Sequence, residues 1–138
     1  MRPERSLQAI RCLALLAVCA MLTGCNGGTV DRHALAKDGE AVDSLACEGA
    51  LLAHDVASGD TARSFARVHA GALARRASNF EDALSERPTL EEIEPQVREL
   101  GRRAGRVRTL LAQLHERPTN RTTARFLVGE LSREGDCR

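Results

Sequence analysis

The stretch that most constrains the fold lies between residues 90 and 114, where apolar residues recur at alternating spacings of three and four. Its members are Leu90, Ile93, Val97, Leu100, Ala104, Val107, Leu111 and Leu114. This spacing puts every member on one face of an α-helix, and its length predicts a continuous packing seam against other helices. Pro95 leaves two interpretations open: the helix kinks there, or its main body begins there.

Three other segments show helical spacing. We predict helices over residues 31–57, 61–86 and 120–134, the first of them interrupted near Gly39. The stripe of the first helix is Leu35, Asp38, Val42, Leu45, Gly49, Leu52 and Val56, of which Asp38 is the polar member. Alternation of apolar and polar residues is nowhere long enough to indicate a strand.

Short stretches that favour turns separate the four predicted helices. Ser58, Gly59 and Asp60 combine C-cap and N-cap residues, and the letters Glu-Arg-Pro-Thr occur at 86–89 and again at 116–119. In each copy the proline ends one helix, and the threonine is a candidate N-cap for the next. Four helices with short links favour an all-α, four-helix up-down-up-down bundle, which we assign to one domain over residues 31–138.

The first 25 residues are organised differently. Arg2, Arg5 and Arg11 precede an uncharged apolar stretch at 12–22. This stretch is shorter than the roughly 20 apolar residues that a membrane span needs. Small and apolar residues then lead into Cys25. This order of charge, apolar stretch and small residues is typical of a cleaved signal peptide, although a short buried core helix is an alternative.

These residues together resemble the signal peptide and lipobox of bacterial lipoprotein precursors, with Leu22, Thr23 and Gly24 as the cleavage motif before Cys25. The resemblance covers residues 1–25 alone. It implies that residues 1–24 are removed and that Cys25 is diacylated on sulfur. Residues 26–30 are polar and flexible in composition, so we predict separately that residues 25–30 form a lipidated tether to the domain. Two acyl chains would anchor the protein to the cell membrane or the outer membrane, facing the extracytoplasmic side.

The chain contains five cysteines, and the resemblance accounts for three of them. Cys12 and Cys19 leave with the leader, and Cys25 takes the lipid. Cys47 and Cys137 then allow one intramolecular disulfide, which an oxidising compartment favours. The predicted bundle supports this pairing separately, because the end of the fourth helix would lie beside the start of the first. Two free thiols are the alternative.

No motif for catalysis or cofactor binding stands out in the sequence. None of the four histidines has a glutamate three positions before it, so the Glu-x-x-His pairs of di-iron bundles are absent. His54, Asp55 and Ser58 suggest a catalytic group, but they surround one helix end, where Asp and Ser are ordinary capping residues. We therefore expect no enzymatic activity, no metal site and no cofactor.

The charges are nearly balanced, with 20 Lys and Arg residues against 19 Asp and Glu residues, which gives no electrostatic footprint for nucleic acid. The clearest basic cluster comprises Arg98, Arg102, Arg103 and Arg106. It suggests contact with anionic lipid headgroups or cell-wall polymers. The alternative is a solvated helix face, in which Glu94 pairs with Arg98 and Glu99 with Arg103 at i,i+4 spacing.

These features favour a lipid-anchored helical protein with a structural or protein-interaction role at the cell envelope, whose partner is another envelope protein. The alternative is a small binding protein that holds an apolar or metal ligand within the bundle. A filled core would favour the first function, and a core pocket of a few hundred cubic ångströms would favour the second.

Overall fold

The computed structural model describes residues 28–137. The predicted leader, its cleavage motif at Leu22, Thr23 and Gly24, and the lipid-bearing Cys25 lie outside these residues. The described chain forms four α-helices and one short 3₁₀ helix: α1 Arg32–Ser58, α2 Arg63–Glu86, the 3₁₀ helix Glu91–Ile93, α3 Glu94–Glu116 and α4 Arg121–Glu134. Its only β pairing is an isolated bridge between Val30 and Thr89. The predicted all-α class is confirmed.

α1 is continuous, so the predicted interruption near Gly39 is wrong. A glycine inside a helix costs only about 1 kcal/mol relative to alanine. Val42 and Leu45, within the two turns that follow Gly39, are almost completely buried. Their burial in the core offsets the cost of the glycine, and the helix passes through it.

Side-chain and backbone hydrogen bonds define both ends of α1. The Asp31 carboxylate accepts a hydrogen bond from the Ala34 N–H at 2.8 Å. At the other end Gly59 has a φ of 85°, and its N–H donates to the carbonyl oxygen of Asp55 at 2.9 Å. A positive φ strains any residue with a Cβ, so glycine is needed at this turn.

The chain just before α1 is fixed to the loop between α2 and α3. The Val30 N–H donates to the Pro88 carbonyl oxygen at 2.7 Å, and the Leu90 N–H donates to the Val30 carbonyl oxygen at 3.4 Å. The Val30 side chain is fully buried. The predicted tether, of which residues 28–30 are described, therefore ends at a fixed point on the domain.

α3 begins in the region of Pro95, as one of the two interpretations of that residue predicted. Pro95 lies in the first turn, where its missing N–H breaks no helical hydrogen bond. From Ile93 to Leu114 every member of the predicted stripe is at most 7% exposed, whereas Leu90 is 42% exposed. Leu90 precedes both the 3₁₀ helix and α3, so helical spacing does not place it on the buried face.

The threonines of the two Glu-Arg-Pro-Thr copies do not cap helices, so that prediction is wrong. The Asn120 side chain caps α4 by accepting a hydrogen bond from the Thr123 N–H at 2.9 Å. Asparagine is a stronger N-cap residue than threonine, and it directly follows Thr119. In the first copy the Thr89 hydroxyl instead donates to the Arg87 carbonyl oxygen at 3.3 Å.

All four helices contribute to one apolar core, and the described residues include no buried polar or charged side chain. α2 packs most extensively on α3, and α1 on α4. Gly49 of α1 lies where helices meet, because a Cβ added there would come within 2.6 Å of Leu111 in α3 and 3.3 Å of Leu131 in α4. The absence of a side chain at Gly49 permits this close approach.

α4 runs antiparallel to α1. The Arg121 side chain, in the first turn of α4, lies against Gly59 at the end of α1, whereas Gly135, just after α4, lies against Cys47. The order of the four helices around the bundle, which we predicted as up-down-up-down, stays a prediction.

Candidate functional site

A disulfide joins Cys47 of α1 to Cys137, which follows α4. Their Cα atoms are 5.3 Å apart, within the range that a disulfide allows. Gly135 makes the approach possible, because a Cβ there would lie 2.8 Å from the Cys47 Sγ and 2.9 Å from the Asp43 carbonyl oxygen. The structure thus brings together the two cysteines that the sequence paired, and it ties the end of the described chain to its first helix.

Arg103 connects three helices close to this disulfide. Its guanidinium donates to the Asp43 carboxylate of α1 and to the backbone carbonyl oxygen of Glu134 at the end of α4. The Arg103 side chain is only 25% exposed. The predicted pairing of Glu99 with Arg103 is not formed, because Arg103 turns towards α1 and α4 instead. Its position and partners fit a structural role.

The other arginines of the predicted anion-contact cluster also have carboxylate partners. Arg98 pairs with Glu94 at 2.9 Å, as predicted. Arg102 pairs with Glu99 at 2.6 Å, and the nearest carboxylate oxygen to Arg106 belongs to Glu134, at 2.8 Å. Paired charges of opposite sign cancel beyond a few ångströms, so this face of α3 presents little net positive charge. Contact with an anionic surface through these residues stays a prediction.

The ion pairs shift the pKa of two groups in the cluster. Hydrogen bonds from Arg102 and then Arg106 hold the pKa of the Glu99 carboxyl below its ordinary value. The hydrogen bond to Glu134 is the main cause that raises the pKa of Arg106. Both shifts have the sign expected where an opposite charge stabilises the ionised form.

The described histidines have separate environments. His69 Nε2 lies 3.0 Å from Glu48 Oε1, and the His69 ring stacks on Phe65 with centroids 5.4 Å apart. His115 Nδ1 lies 2.8 Å from the Arg67 carbonyl oxygen. Within residues 28–137 no group of three or more His, Cys, Asp and Glu side chains could hold a metal ion.

Three large apolar side chains project into solvent from α1 and α2, and we call them the outer apolar patch: Leu51, Phe65 and Val68. They are 69%, 56% and 68% exposed, respectively. Glu48 of α1 contacts His69 of α2. Leu51 lies about one turn beyond Glu48 on α1. Phe65 lies about one turn before His69 on α2, which runs back alongside α1. Leu51 and Phe65 therefore lie at a similar level along the bundle axis.

Sequence reasoning missed the outer apolar patch. Helical periodicity identifies the buried face, and Leu51, Phe65 and Val68 fall outside the stripes of their helices. The available signal was this mismatch itself, since Phe65 and Val68 are large apolar residues three positions apart on a face that should be polar.

Comparison of the chain with models of protein families, with curated proteins and with solved structures gave no match. Among the helices of residues 28–137, none has both the length and the hydropathy needed to cross a membrane.

Proposed function

We propose that this chain is a lipid-anchored, extracytoplasmic helical protein that works by binding another protein at the cell envelope. The observation that carries the binding role is the outer apolar patch. Leu51, Phe65 and Val68 leave apolar surface in water, whereas other residues form the core of the bundle. Covering such surface stabilises a complex by about 25 cal/mol per Å² of apolar area removed from water.

The position of the patch suits a partner that approaches from outside the membrane. A lipid on Cys25 would hold the end of the bundle where Val30 is fixed. Leu51 lies about 30 Å further along α1, at 1.5 Å per residue. With the bundle axis along the membrane normal, a patch at that distance is clear of the membrane surface and accessible to a second envelope protein.

Two further features support the proposed location and role. The Cys47–Cys137 disulfide suits an oxidising compartment. The described core consists of apolar side chains, which offer no donor atoms to a metal. Among these residues the metal-carrier alternative therefore has no support.

The intact mass of protein extracted from membranes tests the anchor. We expect a chain that begins at Cys25 and carries the mass of its acyl groups. The Cys25→Ser variant should keep its leader and lose stable membrane association. A mature chain that begins at another residue, or a Cys25→Ser variant processed and retained like the original, would overturn the lipid anchor.

Photo-crosslinking tests the binding role. A photoreactive residue at position 68 should form an adduct with an envelope protein, whereas one at position 96, exposed on α3, should not. Adding Leu51→Ser and Phe65→Ser should abolish the adduct, because both side chains contribute apolar surface and neither is buried. An adduct that survives both substitutions, or equal adducts from both positions, would count against the patch.

A further inference from the structure

A surface depression lies between the end of α1 and the start of α4. Its volume is about 460 Å³, and it is lined by His54, Ala57 and Ser58 of α1 and by Arg121, Arg125 and Val128 of α4. The depression belongs to the end of the bundle away from Val30, and the outer apolar patch does not line it. Polar groups that can donate hydrogen bonds therefore face it from two helices.

The two arginines of this depression differ from those of the predicted anion-contact cluster. Arg98, Arg102 and Arg106 all have carboxylate partners. Among the described residues, neither Arg121 nor Arg125 forms an ion pair with a carboxylate. Their charges are therefore available to a ligand.

Other charges at this end of the bundle also favour an anion. Arg63, Arg67 and Arg117 likewise lack an ion-pair partner among the described residues. The carboxylates nearby in sequence belong to Asp55, Asp60 and Glu116, and Asp55 lies 3.8 Å from His54 Nδ1. Positive charges outnumber negative ones here, which raises the local concentration of anions.

The Arg121 side chain extends over the turn that follows α1. A Cβ at position 59 would overlap the Arg121 guanidinium, so this group lies directly over Gly59 in the turn after α1. Arg125 is four residues after Arg121 and lies on the same face of α4, about 6 Å along the helix axis. The two guanidinium groups can therefore contact one ligand from the α4 side of the depression, opposite His54 and Ser58 on the α1 side.

We propose that this depression binds a phosphate group. Each guanidinium presents a fork of N–H donors that matches two oxygens of a phosphate. The Ser58 hydroxyl and the His54 ring add donors from the other side. A tetrahedral phosphate can use donors on both sides at once, whereas a carboxylate has only two oxygens and would leave one guanidinium fork unused.

Calorimetric titration of the full chain in detergent, at constant ionic strength, tests the proposal. Inorganic phosphate should bind saturably, and acetate should bind more weakly. Arg121→Gln and Arg125→Gln should each weaken phosphate binding about tenfold, the loss expected for a charge-assisted hydrogen bond. Arg98→Gln is the matched control, since Arg98 is also exposed on a helix but is paired with Glu94, and it should bind phosphate like the original chain.

The comparison of inorganic phosphate with glycerol 3-phosphate identifies the source of the group. Tighter binding of glycerol 3-phosphate would indicate an esterified phosphate, and tighter binding of inorganic phosphate would indicate the free ion. The absence of saturable phosphate binding would overturn the proposal. Equal affinities in the original chain and the Arg121→Gln and Arg125→Gln variants would also overturn it, provided that thermal unfolding shows the variants to be folded.

Discussion

Asp38 occupies the apolar stripe of α1 because a specific partner meets it there. Arg87, in the loop after α2, donates to the Asp38 carboxylate at 2.8 Å, and the two side chains are 23% and 17% exposed, respectively. The buried Arg87 Nε has no hydrogen-bond partner among the described residues. A partly buried ion pair with an unpaired donor contributes little net stability.

Gly135 should be intolerant of any side chain, because Cys47 Sγ, the Asp43 carbonyl oxygen and Cys137 Sγ would lie within 3.0 Å of a Cβ. We expect Gly135→Ala to destabilise the fold by about 1 to 3 kcal/mol and to leave more free thiol. Thiol alkylation and denaturant unfolding measure both effects.

Gly129 provides the control, since a Cβ there would meet nothing within 4 Å. Gly129→Ala should leave the disulfide intact and stabilise α4 by up to about 1 kcal/mol. If the two alanine variants have the same free thiol content and the same stability, the neighbours of Gly135 can shift to accommodate a Cβ at little cost.

The Glu99 carboxyl should titrate at a pH below its ordinary range, because Arg102 and Arg106 stabilise its charged form. A pKa lower in the folded chain than in the unfolded chain means that the interaction stabilises the fold at neutral pH. That contribution is lost as the pH falls through the folded-state pKa. The energy is small because Glu99 is exposed, so the pKa itself is the quantity to measure, by NMR.

Arg102→Gln should move the pKa of Glu99 upwards, because it removes the largest cause of the shift. Arg108→Gln is the control, since Arg108 pairs with Glu81 instead. If both variants leave the pKa of Glu99 unchanged, the Arg102 contact is not formed in solution.

At the scale of elements, α3 should stabilise the fold mainly through the buried stripe from Ile93 to Leu114. Leu111 is fully buried and packs beside Gly49, so Leu111→Ala should destabilise the fold by about 2 to 5 kcal/mol. Leu90 is 42% exposed, and Leu90→Ala should change stability by less than about 0.5 kcal/mol. Denaturant unfolding at equilibrium compares them, and similar losses would contradict the assigned start of the buried stripe.

The helices themselves were predictable because each buries one stripe, and burial at spacings of three and four is visible in a single sequence. Contacts between residues far apart in the sequence were not predictable. Arg103 selects Asp43 over the nearby Glu99 only because folding brings α1 beside α3. Gly39 continues its helix because the following turns are buried, and the unpaired state of Arg121 depends on which carboxylates the fold leaves nearby.

At the scale of the whole molecule, the Cys47–Cys137 disulfide should provide a large share of stability. It joins residues 90 positions apart, and the chain-entropy estimate for a loop of this size is about 4 to 5 kcal/mol, although measured values are often lower. Cys137→Ser should therefore unfold at lower denaturant concentration than the original chain. Reductant should bring the original chain to the level of the variant, and free alkylation of both thiols without reductant would refute the bridge.

The same disulfide also determines how far the chain can be stretched. It closes residues 47–137 into a covalent ring that contains α2, α3 and α4. A force that pulls on the two ends of the described chain can draw out only residues 28–46, roughly 65 Å at 3.3 to 3.6 Å per residue. If the protein is held in the envelope by its N-terminal end, mechanical load would unravel the first half of α1 and then stop at Cys47, leaving the remaining helices within a loop that tension cannot open.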